Sequence, residues 1–345
     1  MAQDTLPEVV VRSGGRRRVV LRVLVGVIVA VLALVLALLL LAPRILPSEV
    51  VEGLAPGRTP PRSEPMHVLI IGSDSRADLT PEERAALRTG SVAGERADTI
   101  MLLTVYRDHV GLLSFPRDLA VERCDGTSGR INAALAIGGP ACLVETVHAL
   151  SGIRAHHHVA VTFGGFVDVV DAVGGVELCL DAAIRDRDAG IDLPAGCQVL
   201  DGADALGYVR VRKIDSDFAR MERQQEFLRA LAREIADPAI VARPWRLTQT
   251  YSGLTRSVTV DDGLGRVAMA RLASGLRALA EGEAFTATVP ADPFTAPSGA
   301  ALLRVRADEA AELFAGFADG SALVPAPDGD AQDGDASDPG GPDVG

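Results

Sequence analysis

One uncharged run near the N-terminus constrains this chain more than any other feature. Residues 23–42 are twenty consecutive residues without a charged side chain. A helix of that length spans about 30 Å, the hydrocarbon thickness of a bilayer, whereas the apolar part of a secretory signal peptide is shorter. The exit sequence, Leu-Ala-Pro-Arg at 41–44, has no Ala-x-Ala cleavage site. The run therefore predicts one retained transmembrane helix.

The charges around this helix predict its orientation. Arginines at 12, 16, 17, 18 and 22 precede it, while Arg44 alone follows it closely. Positive residues flanking a membrane helix stay on the cytoplasmic side. We therefore expect a single-pass protein of the cell membrane with a cytoplasmic N-terminus and an extracytoplasmic domain that begins near residue 44.

The remaining sequence divides by composition and apolar pattern. Apolar strand-like runs at 67–71, 99–106, 110–115 and 176–180 alternate with helical patterns at 163–173 and 217–235, and such alternation is typical of a layered α/β fold. Two of the runs surround a short polar turn and predict a hairpin, which makes the sheet mixed. The predicted segments are a cytoplasmic tail (1–22), a transmembrane helix (23–42), a linker (43–65), a folded domain (66–318) and a disordered acidic Pro/Gly/Asp tail (319–345).

Charge and cysteine content narrow the class of protein. The formal net charge is −12, which argues against a nucleic-acid partner. The four cysteines form no Cys-x-x-Cys pair, and outside the membrane an even number predicts disulfides. Proximity favours Cys124 with Cys142 and Cys179 with Cys197, although four cysteines allow three pairings and free thiols stay an alternative.

Charged residues gather where the predicted strands end. Asp74 and Arg76 follow the first strand of the domain, Asp98 begins the next, and Arg117 and Asp118 follow Pro116 at the end of the hairpin. Ligands of α/β folds bind beyond strand ends, and two carboxylates beside a phosphate suit Mg²⁺. An ion pair between Arg117 and Asp118 is not expected, because neighbouring side chains of extended backbone diverge.

A second charged group lies between residues 208 and 225. If residues 208–212 are extended, Arg210 and Arg212 share one side. On the following helix, which Asp217 is predicted to cap, Arg220 and Gln224 lie on the apolar stripe and should point inward. A buried arginine needs an anion, and bidentate guanidinium groups suit phosphate. These residues predict a pyrophosphate site.

Other motifs give less support for chemistry. Consecutive histidines at 156–158 diverge in a strand and are not expected to chelate a metal together. The sequence contains no Gly-x-Ser-x-Gly, phosphate-binding loop or His-Glu-x-x-His motif, so a serine hydrolase or ATPase has no support.

The ordered motifs resemble the LytR–CpsA–Psr family of cell-wall glycopolymer transferases. Those that carry the resemblance include Gly-Ser-Asp-Ser-Arg at 72–76, Ala-Asp-Thr at 97–99, Ser-Phe-Pro-Arg-Asp at 114–118, Arg-Ile-Asn-Ala-Ala at 130–134, Tyr-Val-Arg-x-Arg at 208–212 and Asp-Ser-Asp-Phe-x-Arg-x-Glu-Arg-Gln-Gln at 215–225. Only Lys213 among the basic residues is a lysine; this bias is typical of a GC-rich genome and points to an actinobacterium.

The resemblance implies roles for these residues. Asp74 and Asp98 would bind Mg²⁺ or Mn²⁺. The groups that would hold the pyrophosphate of a polyprenyl carrier are Arg76, Arg117, Arg210, Arg212, Arg220 and Gln224. Catalysis would rest on Arg117, Asp118, Arg210 and Arg212, with Asp118 either the base or an orienting group for Arg117.

The resemblance also implies a fold and an activity. The fold would be an α/β/α domain with an apolar tunnel for the lipid. The activity would be a phosphotransferase that moves a glycopolymer with its linking phosphate from the polyprenyl pyrophosphate to a peptidoglycan hydroxyl. The alternatives are a polyprenyl-pyrophosphate hydrolase and a non-catalytic binding protein.

Overall fold

The computed structural model describes residues 46–56, 59–75, 79–87, 96–211, 217–236 and 258–324, without the side chains of 217–221. The predicted transmembrane helix, Arg76, Arg212 and the chain from residue 325 lie outside this part. The backbone of Arg220 lies within it, but its side chain does not.

A mixed sheet forms the centre of the described structure. Its seven described strands follow the order β1-β12-β7-β2-β3-β4-β13, with β2 parallel to β7 and antiparallel to β3. The strands of this sheet are β1 (Ser48–Glu49), β2 (Met66–Ser73), β3 (Ala97–Tyr106), β4 (His109–Ser114), β7 (His157–Val161), β12 (Val258–Asp261) and β13 (Ala284–Thr288). The predicted mixed sheet and the β3–β4 hairpin are confirmed.

Four two-stranded sheets surround the central one. They pair β5 (Ala120–Glu122) with β6 (Ser128–Arg130), β8 (Val176–Leu180) with β11 (Gly196–Leu200), β9 (Ile184–Asp186) with β10 (Ile191–Leu193), and β14 (Ala291–Thr295) with β15 (Ala301–Val305). The described α-helices are α1 (Pro81–Ala86), α2 (Ala134–Ser151), α3 (Phe163–Val173), α4 (Gly202–Arg210), α5 (Asp217–Ala236), α6 (Arg266–Glu281) and α7 (Ala307–Asp319).

Helices cover both faces of the sheet. Successive strand side chains alternate between faces, so Val68 enters one core and Leu69 the other. The Val68 core is closed by α3, α4, α5 and α6, whereas the Leu69 core is closed by α2 and α7. The result is the expected α/β/α arrangement.

The segment before β2 is bound to the domain, although the sequence predicts a linker at 43–65. Ser48 and Glu49 add an edge strand to β12, and Val51 is buried. The guanidinium group of Arg271 donates to the carbonyls of Pro60, Pro61 and Glu64. We call the described residues 46–56 and 59–64 the N-terminal strap. Its apolar and polar contacts offset the entropic cost of ordering this segment. These contacts are made with residues far away in the sequence, which its Pro- and Gly-rich composition does not indicate.

The C-terminal boundary also differs from the prediction. Residues 321–323 form one turn of 3₁₀ helix after α7, and Leu323 is buried in the Leu69 core. Gly111 of β4 makes room for it, since a Cβ there would lie 2.9 Å from Leu323 Cγ. The folded domain therefore extends beyond residue 318.

Two disulfides join the predicted partners, Cys124 with Cys142 and Cys179 with Cys197. The first ties the β5–β6 turn to α2. The second crosses β8 and β11, where the two cysteines are paired residues.

One described helix, Ile131–Ser151, is long and apolar enough to cross a membrane by length and composition. It is kinked at Gly138 and Gly139. Leu143, Val144 and Val147 lie in the Leu69 core, so its packing is that of a core helix.

Candidate active site

A polar pocket of about 680 Å³ lies where β2 ends and β3 begins. Its wall carries charged side chains from several strands, several loops and one helix, which the fold brings to one end of the sheet. The charged lining residues are Asp74, Arg96, Asp98, Arg117, Asp118, Arg130, Asp186, Asp188 and Arg210.

Asp74 is fixed at the end of β2 by the start of β3. Its backbone N–H donates to the carbonyl of Arg96 at 2.9 Å, and its carboxylate accepts from the N–H of Arg96 at 2.7 Å. Gly72 allows this close pairing, because a Cβ at this position would lie 2.8 Å from Cβ of Thr99. The carboxylate is thus placed beside Asp98 in the pocket wall.

A chain of alternating charges crosses the floor of the pocket. Arg117 donates to Asp98 at 2.8 Å and lies 3.4 Å from Asp118. Arg130 pairs with the other oxygen of Asp118 at 2.8 Å. The prediction that Arg117 and Asp118 do not pair is wrong, because both residues lie in a turn rather than in extended backbone.

Arg210 reaches the pocket from the last turn of α4. Its guanidinium group donates to the carbonyl of Leu87 at 3.1 Å and lies 5.2 Å from the centre of the Phe163 ring, within cation–π range. The predicted extended segment at 208–212 is wrong: residues 202–210 are helical, so strand alternation does not place Arg210 beside Arg212. Asp201 begins this helix by accepting from the N–H of Asp204.

An apolar cavity of about 410 Å³ adjoins the polar pocket. It lies between the sheet and α3, α4, α5 and α6. Its lining is almost wholly aliphatic or aromatic and includes Val68, Met101, Phe166, Phe227, Leu231 and Leu272. Asp98, Phe163 and Arg210 line both spaces, and we call these three residues the junction.

The pocket does not gather every predicted residue. Gln224 points inward from α5, as expected, but it lines the apolar cavity and donates to the carbonyl of Val209 at 3.3 Å. The side chains of Arg76, Arg212 and Arg220 lie outside the described residues. The predicted roles of all these residues stay predictions.

Several pocket residues were missed from the sequence. Arg96 lies two positions before Asp98, and Arg130 begins the Arg-Ile-Asn-Ala-Ala motif. The sequence around both residues therefore indicates that they lie near the site. Asp186 and Asp188 carry no such signal, because only the tertiary fold brings the β9–β10 loop to the pocket.

The carboxylates present a donor set that fits a hard divalent cation. Asp74 and Asp98 line one pocket, and Mg²⁺ commonly takes one or two carboxylates together with waters and substrate phosphates. Among the described residues no group of three or more metal-binding side chains occurs, so a tightly caged structural ion has no support there. The fit is to a cation that substrate helps to bind.

The three consecutive histidines lie at the other end of the sheet. His157 pairs with Asp261 at 2.9 Å and lies 3.3 Å from the hydroxyl of Thr59. His158 pairs with Glu49 at 3.0 Å. Thr59, which contacts His157, and Glu49, which contacts His158, both belong to the N-terminal strap. These two histidines therefore attach the strap to the sheet.

Comparison with known proteins identifies the family of this chain. The LytR_cpsA_psr family model matches residues 50–315, and the chain belongs to that family. It is 40% identical over 229 residues to the probable cell wall biosynthesis protein LcpB of Corynebacterium glutamicum, covering 66% of this chain and 54% of the relative. LcpA of the same species is 33% identical over 258 residues, covering 65% and 49%. The chain thus spans about half the length of these relatives.

Solved structures share the fold. Bacillus subtilis TagV aligns with a TM-score of 0.60 at 22% identity, covering 74% of this chain and 98% of that one. A LytR-Csp2A-Psr enzyme from Actinomyces oris gives 0.61 at 23%, covering 79% and 96%. TagT bound to LIIa-WTA gives 0.57 at 20%, covering 80% and 96%.

Proposed function

We propose that this protein transfers a glycopolymer, with its linking phosphate, from a polyprenyl-pyrophosphate carrier to a hydroxyl group of peptidoglycan. The junction carries the proposal, because Asp98, Phe163 and Arg210 line a charged pocket and an apolar cavity at once. A lipid pyrophosphate has the same two parts, an anionic head and an apolar chain. The pocket arginines suit the head, and the cavity suits the chain.

The names of the relatives support this reading. A Bacillus subtilis relative named polyisoprenyl-teichoic acid–peptidoglycan teichoic acid transferase TagV is 31% identical over 182 residues, covering 49% of this chain and 46% of its own. The corynebacterial relatives are named as cell wall biosynthesis proteins.

In the proposed reaction a peptidoglycan hydroxyl oxygen bonds to the phosphorus that carries the glycopolymer. The bond from that phosphorus to the bridging oxygen breaks, polyprenyl phosphate leaves, and the hydroxyl proton passes to solvent or a base. Arg117 and Arg210 would stabilise the charge on the transferred group, which is the main catalytic contribution in phosphoryl transfer.

Asp118 suits a positioning role better than that of the base. One of its carboxylate oxygens lies 3.4 Å from Arg117 and the other 2.8 Å from Arg130. With both oxygens paired, its carboxylate holds two arginines at the pocket floor.

Asp74 and Asp98 would hold Mg²⁺, or Mn²⁺ in its place. The cation would neutralise charge on the phosphate oxygens when bound. Asp98 would also keep Arg117 oriented through their 2.8 Å contact.

The proposal includes a location. With residues 23–42 in the membrane, the carrier lipid and peptidoglycan are both accessible to an extracytoplasmic domain. Protease treatment of spheroplasts should digest the chain beyond residue 44, and full protection of the domain would contradict this topology.

The function is tested with purified full-length protein, a polyprenyl-pyrophosphate saccharide and peptidoglycan glycan oligosaccharides. We expect acceptor-linked phosphosaccharide, loss of product on chelation and recovery with Mg²⁺. Asp98→Asn should lose activity, and isothermal titration of the donor with and without Mg²⁺ gives a readout independent of turnover. Release of the saccharide phosphate at the same rate without acceptor would identify a hydrolase, and donor binding without turnover would identify a binding protein.

A further inference from the structure

The polar pocket is larger than the pyrophosphate requires. A pyrophosphate has nine non-hydrogen atoms, and at the roughly 30 Å³ share of a water molecule for each it fills less than half of the space. The pocket measures about 680 Å³. The pocket therefore has room for substrate groups other than the two phosphates.

Reaction geometry specifies which wall faces the acceptor. In phosphoryl transfer the attacking and leaving oxygens lie roughly in line through phosphorus. In the proposed reaction the leaving oxygen belongs to the lipid phosphate, which lies on the side of the apolar cavity. The acceptor hydroxyl must then approach from the side of the pocket that faces away from that cavity.

The β14–β15 hairpin lies on that side, because it packs on the face of the sheet opposite the apolar cavity. Pro293, Ala301 and Leu302 line the polar pocket but not the apolar cavity. The side chains of Ala291 and Leu303 anchor the hairpin in the Leu69 core. The N–H of Leu303 also donates to the carbonyl of Asp118 at 3.0 Å, which fixes the hairpin beside the charged floor.

Arg130 connects the hairpin to the phosphate-binding groups. Its guanidinium group contacts Asp118 at 2.8 Å and donates to the carbonyl of Ala301 at 3.1 Å. The side chain is 43% exposed, so it also offers N–H groups to the pocket. A small apolar rim beside one cation suits a sugar ring that bears a carboxylate.

We propose that the β14–β15 hairpin, with Arg130, is the acceptor subsite and binds a carboxylate-bearing glycan strand. The inference rests on the proposed function. The ring packs against Pro293 and Leu302, and Arg130 pairs with the carboxylate. The β9–β10 hairpin, which brings Asp188 to the pocket, packs through Ala189 and Ile191 in the Val68 core on the side of the apolar cavity, so we leave it to the glycan of the donor.

The test blocks the acceptor subsite with a large side chain and leaves every charged residue of the pocket unchanged. Ala301 is exposed, so Ala301→Trp adds a large side chain at a position that needs no repacking of the core. Asp292→Trp is the matched control, since Asp292 is an exposed residue of the same hairpin that does not line the pocket. Full-length variants are assayed for the acceptor KM, the donor dissociation constant and binding of peptidoglycan glycan oligosaccharide alone, measured by calorimetry.

We expect Ala301→Trp to raise the acceptor KM at least about tenfold, while the donor dissociation constant changes by less than about twofold. Oligosaccharide binding should weaken in parallel, and Asp292→Trp should resemble wild type. Equal weakening of donor binding would assign the wall to the donor, and an unchanged acceptor KM would also overturn the subsite. Wild-type protein that neither transfers nor binds the oligosaccharide would instead overturn the proposed function, and this inference with it.

Discussion

Each carboxylate on the pocket floor has a guanidinium partner. Asp98, Arg117, Asp118 and Arg130 alternate in charge across successive contacts of 2.8, 3.4 and 2.8 Å. The side chains of Arg117 and Asp118 are each only 17% exposed, so the loss of one member leaves a poorly solvated charge behind. The arrangement keeps the floor near neutrality until an anion arrives.

Arg117 is the residue on which this network most depends. We predict that Arg117→Ala lowers kcat/KM for transfer by roughly 10- to 150-fold, the equivalent of a charge-assisted contact of about 1.5–3 kcal/mol. Arg117→Lys should not recover the activity, because a compact ammonium cannot replace a planar group that faces two carboxylates. Initial rates with Mg²⁺ present, on variants shown to be folded by thermal melting, give the measurement.

The control for that prediction is Arg277→Ala. Arg277 also pairs with a carboxylate, Glu281 at 2.9 Å, but on an exposed helix face. It should behave like wild type, since exposed pairs contribute little. Wild-type activity in a folded Arg117→Ala protein would remove Arg117 from the proposed mechanism.

At the level of elements, local pattern predicted best where it was long and regular. The helix predicted at 163–173 and the strand at 176–180 have the bounds observed, since Gly174 ends the helix with a φ of 95° that few other residues adopt. The Val-Arg-Val-Arg alternation at 209–212 predicted an extended segment wrongly, because an alternation of only four residues is a weak signal for a strand. The Asp201 cap and the packing of Gly207 against Ile191 favour the helix, and that packing depends on a distant hairpin.

The disulfides belong to this scale because each joins two elements. We predict that the Cys124→Ser, Cys142→Ser double variant loses roughly 2–4 kcal/mol of stability, because α2 is then no longer tied to the β5–β6 turn. Chemical denaturation of the variant and of wild type, both without reductant, measures the loss.

Cys179→Ser with Cys197→Ser provides a comparison. This pair joins strands that are already hydrogen-bonded over five residue pairs, so its loss leaves the β8–β11 ladder in place. Equal stability of the Cys124/Cys142 double variant and wild type would show that the first bond has no structural role.

At the level of the whole molecule, the sequence predicted the layers but not how they meet. Alternating strands and helices indicated a layered α/β fold, the family resemblance implied the α/β/α order of its layers, and strand ends indicated where charge gathers. The hairpins β14–β15 and β9–β10 reach the pocket through contacts between residues that are far apart in the sequence. One example is the hydrogen bond between Leu303 and Asp118. The strap was missed for the same reason: its partners, His157, His158 and Arg271, are about 100 to 200 residues away.

The end of the sheet opposite the pocket should make the fold sensitive to acid. Burial, together with the neighbouring His156 and Arg271, lowers the pKa of His67 to about 4. Burial, with His157 and Arg271, likewise lowers the pKa of His156 to about 4. The N–H of His67 donates to His156 Nδ1 at 3.1 Å, and His67 Nδ1 lies 3.0 Å from the buried hydroxyl of Thr104. Both rings are therefore held neutral inside the fold.

We predict that stability falls as the pH drops from about 6.5, the ordinary histidine pKa, toward 4. Above this window neither the folded nor the unfolded chain is protonated at these rings, so they do not make stability depend on pH. Between pH 6.5 and 4 the unfolded chain takes up protons that the folded chain does not, and each ring lowers the free energy of unfolding by up to about 1.4 kcal/mol per pH unit.

Urea unfolding measures the free energy of unfolding of His67→Asn and of wild type across this pH range. The free energy should fall less steeply with decreasing pH in His67→Asn than in wild type, whatever the stability of the variant at pH 7. His109→Asn, which replaces a partly exposed histidine at the start of β4, controls for the loss of a histidine as such. A wild-type slope in His67→Asn would show that His67 is not among the groups that destabilise the fold in acid.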